Sequence, residues 1–249
     1  MIISHVNLTD VGLVRKTNQD SIFADVEGDV GVFVVADGMG GHSSGDIASQ
    51  TLISSVFKWW HNIGLSRQTM TIEELTMGLE AAIFEANVFL NNKFRSEGLV
   101  GGTTVVALIV TADQYATLSV GDSRIYRATP DGHMVPITYD DVWQNLPQNR
   151  NYPPEQLRAD SRFGKLTAAV GAAPQINVKT QIYQQEAQER FILCSDGIYK
   201  YCRNGELDNM SARGAAEDSD EVTAHLIEQF VRSSGANDNY SLIICTLRR

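Results

Sequence analysis

The sequence predicts an α+β domain: mostly antiparallel sheets with helices segregated on the outside. Three observations carry this. Short apolar, β-branched runs recur along the chain, whereas only three long stretches have the three-or-four spacing of an amphipathic helix. The elements also run as strands, two consecutive helices, several strands, one helix and a last strand, which is not the strict alternation that builds a parallel sheet. The strand runs are residues 30–35, 103–111, 115–120, 124–128, 178–183, 190–194 and 240–247. Several are continuously apolar, the pattern of strands covered on both faces. The first helix runs from Asp46 with Ala48, Leu52, Val56, Trp59 and Ile63 on one side. The second covers 72–94. It is entered through Thr71 and Glu74, a capping box, and carries Leu75, Leu79, Ile83, Ala86, Leu90 and Phe94 as its stripe. The third begins near Asp220, with Val222, Leu226 and Phe230 on one face. Residues 139–165 are polar and hold three of the six prolines. They read as an inserted flap rather than core.

Length and composition bound the function. A chain of 249 residues with 43% apolar and 20% charged residues reads as one folded domain over 1–249. The net charge of −10 argues against nucleic-acid partners and against a polybasic membrane patch. An anionic substrate would need local positive charge against this global field. Cys194, Cys202 and Cys245 form no CxxC pair and are odd in number, so a disulfide framework is not expected and a reducing cytoplasmic setting is. No signal peptide, membrane insertion or internal repeat is expected.

The chemical signal is a set of aspartates, each at the end or start of an apolar run. Asp37 follows VFVVA, Asp122 follows LSVG, Asp196 follows ILCS, and Asp238 precedes YSLIIC within GANDN. For any one of them, the turn preference of Asp is explanation enough. Four in similar contexts point to carboxylates converging at one rim of a sheet, where they repel unless protonated or bridged by cations. Oxygen-only ligands favour hard ions such as Mg²⁺ or Mn²⁺, and no Cys/His set has zinc spacing. The glycine-rich stretch from Asp37 to Gly45 fails the dinucleotide GxGxxG pattern at its last position, and no acidic residue between Asp46 and Glu73 could hold a ribose. No organic cofactor is expected. The better reading is a tight turn in which Gly38 offers its carbonyl to an ion beside the Asp37 carboxylate.

Seven segments then resemble a known family, in order: RKTNQD (15–20), VADGMGGH (35–42), GGTT (101–104), GDSR (121–124), LTAAVG (166–171), CSDG (194–197) and the pair Asp238, Asn239. The chain resembles the metal-dependent protein phosphatases of the PPM, or type 2C, family in its compact bacterial form. The resemblance implies a four-layer αββα sandwich with two Mn²⁺ or Mg²⁺ ions at one end. Carried over by position, it implies that Asp37 bridges the ions, Gly38 adds its carbonyl to the first, and Asp196 and Asp238 bind the second. Asp122 with Asp196 would hold a third, weaker ion. Arg15 would bind the substrate phosphate through its planar fork, and Asp20 would orient the attacking water. The implied activity is hydrolysis of phosphoserine and phosphothreonine in proteins, opposing a bacterial Ser/Thr kinase in signalling. The implied partners are phosphorylated proteins, including a cognate kinase and its substrates, and the enzyme is expected as a monomer.

Four positions depart from the family pattern. Residue 19 is Gln where many members have Glu, which leaves an uncharged hydrogen-bonding amide. Met39 replaces a candidate general-acid His, and neighbouring His42 reads as structural, at the start of the helix. Ala168 replaces an Arg. Tyr139-Asp140-Asp141 stands in place of Asp-His-Ser at the flap. Trp59 and Trp60 read as helix packing, Cys194 as a buried small hydrophobe, and Cys202 as unreactive. Two other functions compete: a catalytically weak phosphatase fold that binds phosphoproteins, for which Gln19 and the flap speak, and a hydrolase of another phosphoester.

Overall fold

A computed structural model describes residues 1–41, 44–203 and 205–248; His42 therefore lies outside the described residues. Among the described residues, eleven strands form two sheets, and every strand pair is antiparallel. The first sheet joins β1 (Ile2–Asp10), β11 (Tyr240–Arg248), β10 (Gln188–Cys194), β7 (Arg124–Ala128) and β8 (Met134–Pro136), in that spatial order. The second joins β2 (Asp20–Glu27), β3 (Val30–Gly40), β5 (Val105–Val110), β6 (Gln114–Val120) and β9 (Lys179–Gln184), with the short β4 (Gly101–Thr103) paired to the end of β3.

Period-two alternation divides the interior into three apolar layers. Phe33 and Val35 of β3, Val106 and Leu108 of β5, Phe191 and Leu193 of β10 and Ile243 and Cys245 of β11 meet between the sheets. The alternate residues of the second sheet, Val32, Val34, Ala107 and Leu118 among them, face α1 (Ser44–Ile63) and α2 (Ile72–Glu97). Those of the first sheet, Ile192, Cys194, Leu242 and Ile244, face α4 (Asp196–Tyr199), α5 (Glu206–Ala216) and α6 (Asp220–Ser233). The result is the expected αββα sandwich. Strands covered on both faces explain the continuously apolar runs.

The two long helices follow the sequence signals. In α2 the Thr71 hydroxyl accepts from the Glu74 N–H at 3.2 Å, and the Glu74 carboxylate accepts from the Thr71 N–H at 2.8 Å. Gly98, at φ 65°, closes its other end. Trp60 is wholly buried, with its indole N–H donating to Asp25 at 2.6 Å and Arg67 stacked 4.1 Å from its ring.

Several expectations need correction. The strands β1 and β2 were not among the apolar runs because their side chains, apart from the buried Asp20, are half-buried or exposed, which leaves a mixed composition. The run 103–111 is two strands, since Thr104 leaves the ladder to hold β3. The first helix starts at Ser44 rather than Asp46 among the described residues, and the second extends to Glu97. Helix α5 carries only Leu207 and Met210 as buried large apolar residues, too few for a periodic signal. Within 139–165, α3 (Pro154–Ala159) and two 3₁₀ turns lie on the surface, yet Val142 and Asn149 are buried.

One buried ion pair fastens the first sheet to its helices. Arg190 of β10 donates to Asp220 at 2.8 Å, to Thr223 at 2.7 Å and to the Ser211 carbonyl at 2.9 Å. Asp220 also accepts from Thr246 at 2.8 Å and Ser4 at 3.0 Å. Removing one partner strands a buried charge, so Asp220→Ala is expected to cost about 3–5 kcal/mol in urea unfolding. It should leave the chemistry at the far end of the sandwich intact in the folded fraction.

Candidate active site

The β2–β3 ladder sets the centre of the site. Asp20 is directly opposite Asp37, and residues facing each other across an antiparallel pair project from the same face. Chain geometry alone thus puts two carboxylates side by side. Asp122 follows the turn at Gly121, Asp196 opens α4, and Asp238 lies in the loop before β11. The second sheet therefore supplies three of the acids and the first sheet two, all at one end of the sandwich.

Backbone packing fixes this end. A Cβ on Gly38 would collide with the carbonyl oxygens of Gly45 and Gln19, and one on Gly45 would press on Gly38. The start of α1 thus lies directly against the strand end, an approach only glycine permits. A Cβ on Gly197 would collide with the Asn239 carbonyl, so the α4 start and the β11 loop are equally close. Thr103 and Thr104 hold β3. The Asp37 carbonyl accepts from the Thr104 N–H at 2.8 Å and from the Thr103 hydroxyl at 3.0 Å, and the Asp37 N–H donates to the Thr104 hydroxyl at 3.0 Å.

Asn239 clamps the loop that carries Arg15. Its side-chain amide donates to the carbonyls of Val11 at 2.9 Å and Thr17 at 3.0 Å, and its oxygen accepts from the Gln19 N–H at 2.9 Å. Ser195 donates to Asp20 at 2.7 Å while accepting from the Ser241 N–H at 3.0 Å. Sequence reasoning missed these two supporting residues, although each adjoins an expected ligand.

The electrostatics are those of crowded acids. Burial first, then the Asp20, Asp196, Asp122 and Asp238 charges, hold the Asp37 carboxyl well above the usual carboxylate range, although the residue keeps a partly open face. Burial raises Asp20 to about 6 against the lowering effect of its hydrogen bond from Ser195. Burial and the Asp196 charge raise Asp122 to about 6. Three basic groups approach. Arg15 donates to Asp238 at 2.9 Å, the Lys200 ammonium bonds Asp196, and Arg124 lies 3.7 Å above the ring of Tyr199, whose hydroxyl donates to Asp122 at 3.1 Å. Lys200 and Tyr199 were also not anticipated.

Divalent cations suit this donor set. It is all oxygen, it is short of positive charge, and Gly38 lets the backbone come close beside Asp37. Among the described residues, no three His, Cys, Asp or Glu side chains already stand as a closed metal cage. Asp196 and Asp238 are instead turned to Lys200 and Arg15.

The unusual flap residues have a structural account. Arg124 makes contacts of 2.7, 3.1 and 3.2 Å to the Asp140 carboxylate. Asp141 exchanges backbone and side-chain bonds with Gly121, accepting from its N–H at 3.0 Å and donating to its carbonyl at 2.8 Å. The LTAAVG segment pairs with β4 through Thr103 and Val170, at 2.9 and 2.8 Å.

The sequence model described as protein phosphatase 2C matches residues 14–238. The serine/threonine protein phosphatase PstP of Mycobacterium tuberculosis is 26% identical over 248 residues, covering 98% of this chain and 45% of that protein, so the chain spans under half of its length. The serine/threonine phosphatase stp of Listeria innocua is 26% identical over 254 residues, covering 95% of this chain and 92% of that protein. The crystal structure of the PstP catalytic domain in complex with two manganese ions superposes with a TM-score of 0.79 at 25% identity, covering 99% of each chain. The matched segment runs from the loop that carries Arg15, through the whole second sheet, to Asp238, the last of the clustered aspartates, and on that ground this chain belongs to the protein phosphatase 2C family.

Proposed function

We propose that this chain, as a single domain, is a divalent-metal-dependent phosphatase that hydrolyses phosphoserine and phosphothreonine in proteins. The observation that carries the reading is the cross-strand pair Asp20 and Asp37 lying among Asp122, Asp196 and Asp238, an all-oxygen acid cluster of the kind that divalent ions bridge. Manganese or magnesium ions, when bound, supply the positive charge that a phosphate dianion needs and make water nucleophilic near neutral pH. Asp37, Gly38, Asp196 and Asp238 would hold two such ions, and the two manganese ions of the PstP structure support that number.

The remaining roles fall to this chain's own groups. Arg15 is half exposed on the loop clamped by Asn239, so its guanidinium can leave Asp238 and grip two phosphate oxygens. Asp20, fixed by Ser195, accepts a hydrogen bond from the attacking water and orients it. Met39, partly accessible at the end of β3, cannot donate a proton to the leaving alkoxide, which leaves solvent as the proton source. Opposition to a Ser/Thr kinase, phosphorylated protein partners, a monomeric state and a cytoplasmic location complete the proposal. It is in keeping with them that no described helix is long and apolar enough to cross a membrane. The binding-module reading loses support where Asp140 and Asp141 serve as tethers of the flap.

With a phosphothreonine peptide, phosphate release is expected to require Mn²⁺ and to fall by about 100-fold or more in Asp196→Asn. Manganese-independent release, or none in any metal with phosphopeptide binding retained, would sink the enzyme reading. Crowded carboxylates also weaken the metal-free fold. Asp37→Asn is therefore expected to raise metal-free stability by about 1 kcal/mol in thermal unfolding, and to lose the upward shift that Mn²⁺ gives the wild type.

A further inference from the structure

The Asp122 and Asp196 carboxylates are already engaged by two consecutive residues of one short helical segment. Tyr199 donates its hydroxyl to Asp122 at 3.1 Å, and the Lys200 ammonium bonds Asp196 four residues before it. An i,i+4 contact within one helical turn needs no loop to move. It differs in this from the Arg15–Asp238 pair, which joins two loops 223 residues apart in sequence. Tyr199 is itself held from behind. The Arg124 guanidinium stacks 3.7 Å from the centre of its ring and is fixed by Asp140. Two positive charges of this chain thus stand on the Asp122–Asp196 side, and among the described residues no basic side chain bonds Asp37.

Given the metal centre proposed above, on which this inference rests, we propose that Lys200 is a built-in counter-cation. Its ammonium, with the Tyr199 hydroxyl behind it, takes up the Asp122–Asp196 pair, so the chain holds two divalent ions and denies a third a place there. A fixed positive charge beside a cation site repels the ion and occupies a ligand that the ion needs. Lys200 acts here as a positioning residue: it fixes the direction of Asp196 and does not touch the reacting phosphate.

Equilibrium dialysis of the whole chain against a manganese series tests this by counting bound ions. Wild type and Lys200→Arg should bind two ions per chain. Lys200→Met should bind a third, at least about tenfold more tightly than any additional binding to wild type. Lys200→Gln provides the same removal of charge with a polar side chain, should the methionine variant fold poorly. Three ions in wild type, or two in both uncharged variants, would overturn the inference and leave the metal centre standing. No manganese bound to wild type would overturn the metal centre and the inference with it.

Discussion

Mutual repulsion of carboxylates is the constraint that this end of the molecule is built to withstand. Five aspartates brought together by strand pairing and strand ends gain nothing from one another, and at Asp20, Asp37 and Asp122 burial first and then the neighbouring carboxylates push the pKa up. They are kept in place by contacts that do not involve their charge. Gly38 lies against Gly45 and Gly197 against Asn239, backbone on backbone, and Thr103 and Thr104 bind the main chain of Asp37. The stabilising energy comes from the three apolar layers behind the site, which bury whole strands of Val, Ile, Leu and Phe. The functional end draws on that reserve, as strained and crowded sites in folded proteins do.

The chain answers the repulsion with cations placed one at a time. Its net charge of −10 would keep a phosphorylated protein away from most of its surface. Arg15, Lys200 and Arg124 approach the acids from three different elements: a loop, the end of α4 and the start of β7. Arg15 is more than half exposed, which suits a group that exchanges partners when stronger cations arrive, whereas Lys200 reaches Asp196 within one helical turn. Arg124 is less exposed, pinned by Asp140 and stacked on Tyr199. It serves as scaffold.

Most of the architecture was legible because its strands and helices are covered on defined faces. Continuous runs such as 105–110 and the stripe from Leu75 to Phe94 leave little ambiguity. The edge strands β1 and β2 were not legible. Half-buried Ser4, His5, Asp10, Ser21 and Asp25 there obey pairing with β11 and β3 rather than any local preference. The acids were legible as strand-end aspartates, since a carboxylate in an apolar context is conspicuous. Their supports were not. Ser195 reaches Asp20 across 175 residues and Asn239 reaches Gln19 across 220, and a hydroxyl or amide at such a distance leaves no local pattern.

The flap shows how an atypical sequence is compatible with an undisturbed site. Its root is tied on both sides of Asp122: Asp141 grips Gly121 before it, and Asp140 holds Arg124 after it. At its exit Thr167 donates to the Asp141 carbonyl at 2.8 Å, and the Trp143 N–H donates to the Lys165 carbonyl at 2.8 Å, so the outgoing chain closes against the incoming one. Between them, the segment holds itself together locally, with Arg162 bound to Asp160 and lying 4.4 Å from the Trp143 ring. A loop anchored only at its root can change its outer residues without moving the turn that carries Asp122. Variation at residues 144–164 therefore alters the outer surface of the flap, while the acid cluster keeps the geometry set by strand pairing and glycine contacts.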